Sequence, residues 1–119
     1  MTPFGEKIRN LRAERGISQK RMASDLGLSA AYLSALEHGQ RGSPNFNFVQ
    51  RVITYFNIIW DDADELIALA GLSDPRITID TSNLSPKATE LANKLAHSIR
   101  HLDQLALENL TNLLDQLRR

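Results

Sequence analysis

An all-α protein is predicted by this sequence, and three observations carry that expectation. Apolar residues recur at spacings of three and four along most of the chain, which is the period of a half-buried helix. Each such run opens on Thr, Ser, Asn or Asp, and several close on Gly, the residues that start and stop helices. Strand-like alternation is confined to one short stretch, where Ile77 and Ile79 alternate with Thr78 and Asp80. The organisation expected is a five-helix bundle over residues 1–71, a linker with the material for a short strand over 72–84, and a C-terminal helical segment over 85–119.

The elements follow in order. Thr2 and Pro3 read as N-cap and first helical residue, with Phe4, Ile8 and Leu11 on one face and Gly16 as the stop. Ser18 caps a second helix carrying Met22, Ala23 and Leu26, and Gly27 ends it by taking the left-handed conformation. Ser29 caps a third helix with Leu33 and Leu36 inward, ended by Gly39. Asn45 caps a fourth, with Phe46, Val49, Val52, Ile53 and Phe56. Asp61 or Asp62 starts a fifth, with Asp62 and Glu65 at capping-box spacing, before Leu66, Ile67, Leu69 and Gly71. The second and third helices are too short to stand alone and need the flanking bundle.

Two short helices joined through a glycine turn form the arrangement that lays one helix across DNA and the next in the major groove. The residues Arg9, Leu11, Arg12, Gly16, Ser18, Gln19, Ala23, Gly27, Ser29, Tyr32, Leu33, Ser34, Glu37, Gly39 and Pro44 sharpen this. On them the chain resembles the helix-turn-helix family of lambdoid phage repressors and Cro proteins, the xenobiotic-response-element family, over about residues 4–71. The resemblance implies a lambda-repressor-like bundle and a prokaryotic or phage transcriptional regulator, a repressor, that binds double-stranded DNA. It implies an ion pair between Arg12 and Glu37, with Arg12 also close to the DNA backbone, and a phosphate contact by Gln19.

Base reading would fall to the exposed face of the third helix: Ser29, Ala30, Ala31, Tyr32, Ser34 and Ala35. Phage repressors often carry glutamines where this chain has Ala30, Ala31 and Ala35, so bidentate adenine contacts do not carry over. Alanine offers a methyl to thymine, serine donates or accepts almost anywhere, and Tyr32, Ser34 and local DNA shape carry more of the specificity. Backbone contacts are expected from Arg9, Arg12, Gln19, Lys20, His38, Arg41 and Asn45; Arg41 suits a phosphate or a narrow minor groove. The alternative for the basic residues is a solvated face, and for Tyr32 a packing role.

The chain of 119 residues is formally neutral, but the charge is uneven. Up to Trp60 there are eight basic residues against four acidic, and after it six against ten, which suggests a basic DNA-facing module whose binding weakens as salt rises. Ser85 and Pro86 open the C-terminal segment sharply, followed by Ala88, Leu91, Leu95, Ile99 and Leu102, then Leu105, Leu110, Leu113, Leu114 and Leu117. Either one helix of about 32 residues, roughly 48 Å long, or two helices with Asp103 capping the second fit this pattern. So many leucines on a stripe need a covering surface, and a homodimer through Leu91, Leu95, Ile99, Leu102, Leu105, Leu110, Leu113 and Leu117 supplies one. Packing back on the N-terminal bundle is the other way to cover them. A dimer would place two recognition helices about 34 Å apart on an inverted-repeat operator.

No catalytic constellation is present, and an enzyme is not expected. The chain has no cysteine, hence no disulfide or thiolate site. His97 and His101 lie four apart but lack further ligands and read as a solvated face, so no metal and no cofactor are expected. No apolar run approaches the roughly 18 residues of a membrane span, and the N-terminus lacks a signal-peptide core, so no membrane partner and a cytoplasmic location are expected. A different class of function also fits: an antitoxin-like interaction protein whose C-terminal leucines hold another protein while the helix-turn-helix only autoregulates.

Overall fold

The computed structural model describes residues 1–119 and is all-α. It divides into two compact units, Met1–Ile77 and Thr78–Arg119. The first holds five helices: α1 (Pro3–Arg15), α2 (Gln19–Asp25), α3 (Ala30–Glu37), α4 (Phe46–Phe56) and α5 (Trp60–Ala70). Four of these open on the expected caps, since the side chains of Thr2, Ser18, Ser29 and Asn45 accept from the backbone N–H groups of Gly5, Arg21, Tyr32 and Phe48. Gly16 closes α1 at φ 64°, and Gly27 turns the chain between α2 and α3 at φ 71°, where a Cβ would be strained.

One core fills the first unit. Phe4, Ile8 and Leu11 from α1, Met22 and Ala23 from α2, Leu33 and Leu36 from α3, Phe48, Val49, Val52 and Phe56 from α4, and Leu66 and Ala70 from α5 are buried together. Phe4 and Phe48 meet edge to face at 6.1 Å, joining α1 to α4 in an arrangement that aromatic quadrupoles favour. Ser73 closes the bundle behind α5. Its hydroxyl accepts from the Phe4 N–H at 2.9 Å, satisfying one orphan group at the start of α1, and donates to the Leu69 carbonyl at 2.6 Å.

Three expectations change. α5 begins at Trp60 behind Ile59, with no side-chain cap, and Asp61 and Asp62 lie inside its first turn. Those carboxylates favour the positive end of the helix dipole without bonding its free amides, so the helix starts earlier than a capping box at Asp62 and Glu65 implies. Ile77–Asp80 form no strand, because no second extended segment lies alongside to complete a ladder. The division of charge at Trp60 cuts through a folded unit: with α5 included, residues 1–77 hold nine basic and nine acidic side chains. The unit is neutral, and its charge is separated within it rather than between halves of the chain.

The second unit contains α6 (Pro86–Ser98), a 3₁₀ turn (Ile99–His101) and α7 (Gln104–Leu117). Of the two arrangements the sequence permits, the single long helix is excluded. Leu102 is extended at φ −87° and ψ 134°, and the Asp103 carboxylate caps α7 by accepting from the Ala106 N–H at 2.8 Å. Neither α6 nor α7 buries a residue. No helix in the chain is long and apolar enough to cross a membrane.

Candidate nucleic-acid interface

The centre of the site lies behind it. Glu37, the last residue of α3, is fully buried and uses every oxygen. Its carboxylate accepts from both terminal nitrogens of Arg12, one of them at 3.3 Å, and from Gln19 Nε2 at 3.0 Å. Its carbonyl accepts from the Thr2 N–H at 3.2 Å and hydroxyl at 3.1 Å. One residue thus pins the end of α3 to the starts of α1 and α2 and to the last turn of α1. Arg12 is itself buried, so the charge pair is poorly hydrated, and removing one partner strands the other.

Gly5 makes that approach feasible. A Cβ there would stand 1.9 Å from the Glu37 carbonyl oxygen, so α1 and α3 touch backbone to backbone. α2 is held from its other end by α4: Arg51 donates to the Leu26 carbonyl, and the Tyr55 hydroxyl donates to Asp25 at 2.7 Å. Burial, and next the Asp25 carboxylate, hold the Tyr55 phenol above its ordinary pKa of 10.0. None of Gly5, Thr2 (as a clamp), Arg51 or Tyr55 stands out in the sequence as part of this site. Their partners lie 25 to 35 residues away in the chain.

With α3 fixed from behind, its other side faces outward. Ser29, Ala30, Ala31 and Tyr32 are exposed, and Ser34 and Ala35 are half-buried. The Ser29 hydroxyl accepts from the Tyr32 N–H at 3.0 Å as the cap. His38 is exposed at the end of the helix, its Nδ1 2.9 Å from the Ser34 carbonyl. Lys20, Arg41 and Asn45 are also exposed, and Arg9 is exposed on α1. Asn45 uses its side-chain oxygen as the cap of α4. Two of the residues expected at the DNA backbone also face inward, and Arg12 makes the expected ion pair with Glu37. Arg12 commits its guanidinium to Glu37, and Gln19 commits its side-chain amide to the same carboxylate.

Local charge favours an anionic ligand although the unit is neutral. Between Gly16 and Asn45 the acidic residues are Asp25 and Glu37. Glu37 is buried against Arg12, and Asp25 bonds Tyr55 and lies 3.9 Å from Arg21. Lys20 and Arg41 are left facing solvent beside the outer surface of α3. A cleft of about 420 Å³ lies between α3 and α4, and its charged lining residues, Arg41 and Arg51, are both cations.

Comparison with known proteins agrees with this geometry. The family described as "Helix-turn-helix domain" matches residues 5–72. RghRB of Bacillus subtilis, named as an uncharacterised HTH-type transcriptional regulator, is 31% identical over 71 residues, covering 60% of this chain and 49% of that protein. RghR of the same organism, named as an HTH-type transcriptional repressor, is 46% identical over 44 residues, covering 37% of this chain and 33% of that protein. The aligned parts therefore span half or less of these relatives' lengths. No solved structure gives a significant match. The matched region runs from α1 through α5, and the chain belongs to the helix-turn-helix domain family, a non-enzymatic family of DNA-binding transcriptional regulators.

Proposed function

We propose that this chain is a transcriptional repressor that binds an inverted-repeat operator in double-stranded DNA as a homodimer. The observation that carries the proposal is the rigid presentation of α3: its end is locked through Glu37 to Arg12, Gln19 and Thr2, while Ser29, Ala30, Ala31 and Tyr32 face outward. In this reading α3 enters the major groove, with Ser29, Ala30 and Ala31 at the bases and Ser34 and Ala35 completing the base-reading face at its edge. Arg9, Lys20, His38, Arg41 and Asn45 meet the sugar-phosphate backbone. Arg12 and Gln19 serve the complex indirectly, by fixing the angle of α3. The name of RghR as a repressor supports the direction of regulation.

Dimerisation is supported by the second unit. Leu91, Ile99, Leu105, Leu110, Leu113 and Leu117 are exposed, and Leu95 and Leu102 are only half-buried. Two copies that cover these side chains remove apolar area from water at about 25 cal/mol per Å². Fragments selected from random DNA at fixed salt, with affinities measured by fluorescence anisotropy, test the proposal. Lys20→Ala should weaken binding to every fragment alike, whereas Ser34→Ala should alter preference among fragments. Equal affinity for selected and random DNA would defeat the operator reading. Light scattering of the full chain at micromolar concentration tests the dimer: a monomer there sinks that part, and co-purification with an unrelated protein would move the leucine surface to another partner.

A further inference from the structure

We infer that Tyr32 is a positioning residue for Arg41, whose guanidinium it holds above its ring as a preset phosphate contact, and that Tyr32 itself reads no base. The guanidinium carbon of Arg41 stands 5.0 Å from the Tyr32 ring centroid, within reach of the ring quadrupole. Tyr32 lies in the first turn of α3, and Arg41 lies beyond Gly39 in the loop that leads to α4. No carboxylate lies within salt-bridge distance of Arg41, so the ring is the partner that orients it. Ser43, Asn45 and Asn47 line the same cleft, and no acidic side chain does. A cation already oriented in a cleft of donors loses less freedom when a phosphate arrives than one swinging from an open loop.

The stack also limits what Tyr32 can do. With a guanidinium over one face, the Tyr32 ring has that face closed to a base edge. The inference rests on the DNA-binding reading above, and the test separates the two. In the full chain, Arg41→Ala and Tyr32→Leu should each weaken binding to a selected duplex roughly tenfold and lower the salt slope by about one, because each removes one ordered phosphate contact. The Tyr32→Leu/Arg41→Ala double variant should bind no worse than Arg41→Ala alone. Tyr32→Phe keeps the ring face, and it should bind like the unaltered chain with the same sequence preference.

Tyr32 is exposed and outside the core, so its replacement by leucine removes the ring at little cost to folding. NMR should show the Arg41 side-chain protons leaving the ring-current field in Tyr32→Leu but remaining in it in Tyr32→Phe. Additive losses in the double variant, or a changed base preference in Tyr32→Phe, would overturn the inference while leaving DNA binding intact. Failure of the unaltered chain to bind DNA would overturn the reading beneath it, and the inference with it.

Discussion

Leu33 and Leu113 hold the same kind of position, on the apolar stripe of a short capped helix, and end in opposite environments. Leu33 is 0% exposed at the centre of the first unit, whereas Leu113 is 49% exposed on α7. Helical periodicity predicts both stripes equally well, because it reports that a face needs cover and not what covers it. In the first unit five helices cross, and each stripe meets another. In the second, no residue of α6 or α7 is fully buried. A stripe is therefore a demand for a partner, met within residues 1–77 and left open in residues 78–119.

The most damaging way to break the first unit is through its charge rather than its apolar core. Glu37→Ala should cost about 3–5 kcal/mol in urea unfolding, because it leaves the buried Arg12 guanidinium unpaired. Replacing Arg12 and Glu37 together by leucine should recover most of that loss. A cost below about 1 kcal/mol for the single change would refute the view that this pair fastens α3.

The next effect compares the two leucines directly. Leu33→Ala should cost about 2–5 kcal/mol by opening a cavity. Leu113→Ala should change the unfolding free energy of the monomer by less than about 0.5 kcal/mol. Its effect should appear as weaker self-association in sedimentation, and equal losses of stability at both positions would erase the contrast between the units. Gly5→Ala should cost about 1–3 kcal/mol or more, since the new methyl meets the Glu37 backbone, which has little freedom to move. An unchanged melting temperature would show that α1 and α3 separate freely.

The smallest effect concerns the clamp on α2. Tyr55→Phe removes the hydrogen bond to Asp25 and should cost about 1 kcal/mol at neutral pH. The folded-state pKa of Tyr55 is raised above 10.0, so its contribution is complete below about pH 10 and is lost as pH climbs through the raised value. The gap between the two proteins should therefore close in alkaline melts. A gap that persists unchanged at high pH would remove the phenol proton from the account.

Much of the architecture was legible in the sequence, for a local reason. Thr2, Ser18, Ser29, Asn45, Ser85 and Asp103 all act as side-chain caps, and a cap bonds a backbone group only three residues away. α5 was misplaced because three nearby aspartates imitate a cap without making one. Asn57, which closes α4 in the left-handed conformation at φ 53°, carries no glycine to announce it. At the site, the outer face of α3 follows from periodicity once Leu33 and Leu36 point inward. The inward turn of Gln19 and the contact of Arg41 with Tyr32 do not, since each depends on which side chain a distant segment brings near.

The sequence by itself determined where all the helices but α5 begin, where glycine turns them, and that a helix-turn-helix lies between Ser18 and Gly39. Those outcomes depend on atoms within about four residues of one another, so they are written locally. Only the tertiary structure decided that Gln19 turns its amide to the Glu37 carboxylate, that Gly5 must lack a side chain, and that Arg41 reaches the Tyr32 ring. Gln19 and Glu37 are 18 residues apart, and only the packing of α2 against α3 joins them.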